Sequence, residues 1–219
     1  MLRAGTGHCA GAAMVEFHVV ALFALLPLCL GTLQLALLMA ENHHIDHATF
    51  QAARQAAMSG GDTDAARRAL AGAAAALFLS GAGELDSGNA TGRVARAYAA
   101  ALADHLRFGR IRILNPTPEA QLDFAGMRAG RRVIPNDNLL YRPHAPGQRS
   151  GLTLQQANVL RLEVDWCRPL VVPFVRELLP GLLRRMDLDP WRQYCYSQGR
   201  VPIRSAASTP MQSDFRVSS

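Results

Sequence analysis

The chain has 219 residues and a formal net charge of +6, with 23 basic residues against 17 acidic ones. This length suits one soluble domain behind a membrane anchor. Every basic residue is an arginine, and the arginines are scattered without interleaved aromatic residues, which argues against a nucleic-acid interface. The sequence contains no nucleophile elbow, phosphate loop or paired-carboxylate motif, so we expect a structural protein without a cofactor rather than an enzyme.

The first strong feature is an apolar segment over residues 17–39, in which His18 and Gln34 are the only strongly polar residues. Because a bilayer core of about 30 Å is crossed by roughly 20 apolar helical residues, this segment is predicted to span a membrane. Glu16 lies directly before it. A carboxylate at this position is costly unless it is paired, which indicates a function; the alternative is an interfacial residue at headgroup level.

A pattern of leader, glycine and acidic residue surrounds this glutamate. The short leader ends at Gly11, Ala12 begins the apolar helix, and Glu16 is the fifth residue beyond the glycine. With the Glu16-Phe17 pair and Ala-Ala-Arg at residues 52–54, the segment resembles TadE-like pseudopilins of tight-adherence (Flp, type IV pilin-like) pilus systems. The resemblance implies cleavage between Gly11 and Ala12 by a prepilin peptidase. It also implies that Glu16 pairs with a free N-terminal ammonium, its own or a neighbour's.

The same resemblance implies an organisation for the whole chain. Residues 1–11 are the leader, residues 12–59 form a transmembrane and projecting helix, and residues 60–219 form an exported domain. The expected location is the inner membrane, with a single span and a periplasmic domain. The expected partners are the prepilin peptidase, other pilins or pseudopilins and the inner-membrane assembly platform. The alternative is a periplasmic binding or enzyme domain on a signal anchor, unrelated to pili.

Two features of the first helix carry further predictions. Pro27 lies in the middle of the apolar segment and is expected to kink it. Outside that segment, His43 and His47 are one helical turn apart and could share a metal ion. No third ligand is evident in the sequence, so a polar turn at the membrane interface is the preferred interpretation of these histidines.

The remaining sequence predicts an α+β domain with alanine-rich helices and a small, mostly antiparallel sheet. Asp62 is predicted to cap a helix over residues 63–79. Further helices are predicted over residues 93–108 and 170–186, the latter packed on the domain or lying at the membrane surface. The predicted strands cover residues 110–114, 121–125, 159–167, 193–196 and 201–208, and the predicted loops cover residues 80–92, 133–139 and 141–147.

Three segments within this domain also resemble TadE-like sequences. They are Ile-Pro-Asn-Asp-Asn-Leu at residues 134–139, Gln-x-Ala-Asn-x-Leu at residues 155–160, and Met-Gln-Ser at residues 211–213. No catalytic role attaches to them, because Asn and Asp in such loops normally bond to the local backbone.

The four cysteines separate by location. Cys9 falls in the leader and Cys29 in the membrane helix, whereas Cys167 and Cys195 fall in the exported domain. An oxidising compartment favours a disulfide between the last two, which would stabilise the fold by roughly 3–4 kcal/mol. The alternative is a pair of free buried thiols.

Overall fold

The computed structural model describes residues 10–81 and 90–217. It is α+β, as predicted, with a long N-terminal helix followed by helices and two small sheets. The chain divides into two units. The first unit comprises Met1–Met39 and Pro169–Val201, and the second comprises Ala40–Arg168 and Pro202–Ser219. The predicted leader lies mostly outside the described residues.

The N-terminal helix consists of α1 (Ala10–Val20), a π-helical turn (Ala21–Leu25) and α2 (Leu26–Met58). The π turn ends two residues before Pro27, and the backbone N–H of Leu26 bonds to the carbonyl of Ala21. Proline cannot bond to the carbonyl four residues earlier, and its ring would clash with that carbonyl in a regular helix. The wider turn is therefore the local adjustment that accommodates Pro27, and the kink stays a prediction.

One helix segment, Met14–Met58, is long and apolar enough to cross a membrane, with a mean hydropathy of 2.2 in its most apolar window. Its large apolar side chains face outward: Met14 and Phe17 are each 68% exposed and Phe23 is 74% exposed. Exposing so much apolar surface to water is unfavourable, so this surface suits contact with lipid or with another protein.

The first unit also contains α7 (Pro173–Met186) and α8 (Pro190–Ser197). The helix predicted over residues 170–186 is thus confirmed, but the strand predicted over residues 193–196 is wrong. Asp189 caps α8, because its side chain accepts hydrogen bonds from the backbone N–H groups of Trp191 and Arg192, and Pro190 occupies the first turn. These are helix-start signals that override the β propensity of the aromatic residues that follow.

The second unit begins with a helical layer. After the end of α2 come α3 (Thr63–Ala74), a 3-10 turn (Ala75–Gly81) and α4 (Ala90–Phe108). Asp62 caps α3 as predicted, accepting from the backbone N–H of Asp64 at 2.8 Å. Alanines dominate the buried positions of this layer; in α2 they are Ala48, Ala52, Ala53, Ala56 and Ala57.

The main sheet has the order β1-β4-β5, formed by Gly109–Asn115, Val159–Pro169 and Arg200–Pro210. β1 and β4 run antiparallel, with Ile111 opposite Val164 and Ile113 opposite Leu162. The alternating apolar residues of β4 are fully buried, as the period-two pattern predicts: Leu160, Leu162, Val164 and Trp166.

A second sheet has the order β2-β3-β6, formed by Gly126–Arg128, Arg131–Ile134 and Phe215–Arg216. The predicted loop over residues 133–139 therefore begins with the end of a strand. The strand predicted over residues 121–125 is wrong, because α5 (Pro118–Phe124) occupies it, with Thr117 as its cap. The remaining short helices are Leu139–Tyr141, a 3-10 turn, and α6, Leu154–Ala157.

Several arginines form an ion-pair network on the main sheet. Asp165 is only 3% exposed in its side chain, and it accepts hydrogen bonds from Arg110 at 2.7 Å and from Arg204 at 2.8 Å. Desolvation raises the pKa of Asp165, but the hydrogen bonds from Arg204 and Arg110 outweigh it and hold the pKa below its ordinary value. These arginines thus neutralise carboxylates of their own domain.

Candidate functional site

The predicted cleavage site lies on the N-terminal helix. α1 begins at Ala10, so the bond between Gly11 and Ala12 is within helical backbone. A peptidase acting at this bond would have to open the helix locally to reach it.

Glu16 stands on α1 among apolar neighbours. Its side chain is exposed, and so are Val15 and Phe17 on either side, at 64% and 68%. Nearby His18 is satisfied by its own helix, because its Nδ1 lies 2.6 Å from the carbonyl oxygen of Met14. The ring of Phe17 meets the ring of His18 edge to face, with centroids 6.0 Å apart.

The polar groups further along the segment also have partners. Thr32 donates to the carbonyl of Cys29 at 2.9 Å. The side-chain oxygen of Gln34, which is 2% exposed, accepts hydrogen bonds from the backbone N–H groups of Val171 and Val172.

Among the described residues, none donates a hydrogen bond to the carboxylate of Glu16 or forms an ion pair with it. It is also the one Asp or Glu in residues 14–39. A carboxylate on an apolar helix is tolerable in low dielectric mainly when a cation pairs with it. Within the described residues, Glu16 therefore lacks the partner that a carboxylate in a bilayer would require.

Residues 11–54 match the family model of TadE-like proteins. This segment is TadE-like. The matched range starts at Gly11 and contains Glu16, Phe17 and Ala-Ala-Arg at residues 52–54. The predicted resemblance is thus confirmed, and it implies involvement in a tight-adherence pilus system. No curated protein and no solved structure matches the chain.

The three segments beyond this range that also resemble TadE-like sequences meet in the second unit. The side chain of Asn136 donates to the carbonyl of Met211 at 2.9 Å. The side chain of Asn158 donates to the carbonyl of Pro135 at 3.1 Å, and the N–H of Met211 donates to the carbonyl of Asn158 at 2.8 Å. As expected for Asn in loops, these amides bond to backbone, so the segments hold one another in place.

The last motif segment also fastens the end of α2. Ser213 donates through its hydroxyl to the carbonyl of Ala57 at 3.0 Å, satisfying a carbonyl at the helix terminus. Gly61 follows with a φ of +83°, and a Cβ atom there would lie 2.3 Å from the ring of Phe215. Only glycine combines this left-handed backbone with so close an approach. The motif segments therefore secure the domain to the helix that carries the TadE-like match.

A buried arginine in the second unit was not predicted from the sequence. Arg168 is 4% exposed, and its guanidinium lies 3.3 Å from Glu41 and 3.6 Å from Asp104. It also lies over two rings, 4.9 Å from the centroid of Phe78 and 5.3 Å from that of Trp166. Glu41 follows the apolar segment almost directly, so this cluster fixes the first polar turn of α2 in the domain. Removing one member of such a pair leaves a buried charge and costs about 3–5 kcal/mol.

His105 lies next to this cluster and predicts a pH dependence of stability. It is 1% exposed and its ring meets Trp166 edge to face at 5.0 Å. Burial and, second, the positive charge of Arg67 lower its pKa to about 4, against an opposing effect of Asp104. Because its folded pKa is depressed, the unfolded state binds the extra proton between pH 6.5 and about 4. Stability is therefore expected to fall as the pH falls through this window, by up to about 3 kcal/mol.

Chemical unfolding of the full chain in detergent, followed by tryptophan fluorescence at several pH values, measures this effect. His105→Gln removes the titrating group. The variant is expected to show a shallower fall in unfolding free energy between pH 6.5 and 4.5, whatever its stability at neutral pH. Equal slopes in wild type and variant would contradict a neutral buried His105.

The described residues place no third metal ligand beside His43 and His47. His43 and His47 are exposed on α2, and the part of the chain that the structure describes holds no group of three or more His, Cys, Asp or Glu residues placed to bind a metal ion.

The cysteines lie in different environments. Cys29 is free and exposed on α2, whereas Cys167 in β4 and Cys195 in α8 are fully buried and each is disulfide-bonded. The bond between Cys167 and Cys195 stays a prediction for the protein in its compartment. We expect alkylation of denatured, non-reduced protein to leave both unmodified and alkylation after reduction to label both. Labelling of both without a reductant would refute the bond.

Proposed function

We propose that this protein is a minor pseudopilin-like component needed for assembly of a tight-adherence pilus. In this role it is inserted in the inner membrane by residues 17–39, with its domain in the periplasm. A prepilin peptidase removes residues 1–11 at the cytoplasmic face. The mature chain then assembles with other pilins or pseudopilins at the inner-membrane platform.

The observation that carries this proposal is the unpartnered carboxylate of Glu16 on an apolar TadE-like helix. Cleavage before Ala12 would create a free ammonium four residues away from Glu16. Positions four apart lie on the same face of a helix, one turn from each other. Cleavage would thus place an ammonium group one helical turn from Glu16, where the described residues provide no cation.

Pairing between subunits follows from the same electrostatics. An ammonium and a carboxylate are each costly in hydrocarbon and cost less together. A subunit whose ammonium meets the Glu16 carboxylate of a neighbour lowers this cost for both. Since the two groups must lie at the same height, the pairing also sets the axial register between the helices.

Deletion and complementation test the proposed function. Cells lacking the protein are expected to lose their tight-adherence pili in electron micrographs, and the wild-type chain is expected to restore them. The restored protein is also expected to co-purify with other pilins after cross-linking in the membrane. Normal pili in the deletion strain would overturn the proposal.

A further inference from the structure

Helix α7 has an apolar stripe that its own unit does not cover. One set of its side chains, Val175, Leu179 and Leu183, packs on a small core that includes Leu170 and Tyr196. Beside this packed face runs a second row at four-residue spacing, which forms a continuous stripe along one side of the helix. Its members are 49% to 75% exposed: Phe174, Leu178, Leu182 and Met186.

The hydrogen bonds of Gln34 fix the depth at which α7 begins. Gln34 accepts from the N–H groups of Val171 at 3.1 Å and Val172 at 2.8 Å, and Val172 is the residue that caps α7. Gln34 lies 17 residues beyond Phe17, which is about 26 Å along a helix at 1.5 Å per residue. If the bilayer core of about 30 Å begins at Phe17, Gln34 lies near its outer edge. The start of α7 is therefore held at the membrane boundary.

The charges of α7 match an anionic lipid surface. The helix carries Arg176, Arg184 and Arg185 against one acidic residue, Glu177. None of the three arginines has an ion-pair partner among the described residues. Arg185 lies at the end of the apolar stripe, where a long side chain can keep its charge at headgroup level while its stem stays in an apolar layer. An apolar row with net positive charge is typical of a helix lying in the interface plane.

We propose that α7 is an interfacial membrane helix, with its stripe in the outer boundary of the bilayer and its arginines on anionic lipid phosphates. The inference rests on the proposed anchoring of residues 17–39. It adds a second, lateral attachment of the protein to the membrane next to the span. Such an attachment would hold the first unit at a fixed depth, which is the condition for matching Glu16 to a neighbour's ammonium.

Fluorescence quenching in vesicles tests this placement with the full chain. The background is Trp191→Phe, in which the fully buried Trp166 gives a constant signal. Leu182→Trp reports on the stripe, and Leu140→Trp, at a position that is 88% exposed in the second unit, is the matched control. Phe23→Trp reports on anchoring alone. The vesicles contain phosphatidylcholine and phosphatidylglycerol with or without bromine on the acyl chains, and iodide serves as the aqueous quencher.

We expect brominated lipid to quench the tryptophan at position 182 at least about twofold more than the one at position 140, and iodide to show the reverse order. Vesicles without phosphatidylglycerol should weaken the lipid quenching at position 182. Iodide quenching without lipid quenching would place the stripe in water. Protection from both quenchers would place it against a second protein surface. Either result at position 182 overturns the proposal, whereas loss of lipid quenching at position 23 would overturn the anchoring itself.

Discussion

Glu16→Gln is expected to abolish pilus assembly while leaving leader removal and membrane insertion intact. Glutamine keeps the shape of the side chain and removes its charge. The ammonium of an incoming subunit would then be left unpaired in low dielectric, at a cost on the order of 3–5 kcal/mol. An energy of this size lowers the occupancy of the assembled state by roughly a hundredfold or more. Pili counted by electron microscopy and pilins recovered by cross-linking measure the effect.

Two further variants make this result specific. Glu16→Asp keeps the charge with a shorter reach and is expected to be partly active. Glu119→Gln removes the same charge from an exposed position on α5 and is expected to assemble like the wild type. If Glu16→Gln also assembles like the wild type, the pairing is wrong and Glu16 is an interfacial polar residue only.

Gly11→Asp is expected to block leader removal. Glycine lets a peptidase approach the backbone closely, and Gly11 lies on α1 at the predicted scissile bond. A branched, charged side chain there obstructs that approach, so the protein should accumulate with residues 1–11 still attached. Mass spectrometry of the purified membrane protein distinguishes the two lengths.

Gly31→Ala is the matched control for this glycine. A Cβ atom at Gly31 meets no atom within 4 Å, so the substitution should leave both the helix and the processing unchanged. Membrane extraction of Gly11→Asp should match that of the wild type, because the apolar segment is untouched. A normal mature mass for Gly11→Asp would place the processing site elsewhere or show that there is none.

Individual helices and strands could be predicted from the sequence where one strong hydrophobic pattern dominates the segment. The apolar run predicted the first helix, and the alternation in residues 159–167 predicted β4, whose Leu160 and Trp166 are fully buried. The two wrong strands share a cause. In both, a capping residue followed by proline, Thr117-Pro118 and Asp189-Pro190, starts a short helix, and this signal decides the local structure over the propensity of the next residues.

At the candidate site, residues that are close in sequence could be predicted, whereas contacts between distant residues could not. Gly11, Ala12 and Glu16 are local in sequence, so the resemblance to TadE-like sequences can single them out without knowledge of the fold. The partners of Gln34 and Arg168 could not, because they are far away along the chain: Val172 is 138 residues from Gln34, and Glu41 is 127 residues from Arg168. Only the fold brings such groups together. Arg168 lies within β4, one residue beyond the predicted end of that strand, and nothing local in the sequence indicates that it is buried.

A signal-anchored periplasmic domain is the competing class of function, and it differs from a pseudopilin in what happens to the N-terminus. The deciding measurement is therefore the N-terminal sequence of the full protein purified from membranes of cells with and without the prepilin peptidase. A processed pseudopilin is expected to begin at Ala12 in the first case and to retain residues 1–11 in the second. A chain that begins at Met1 in both strains would contradict it.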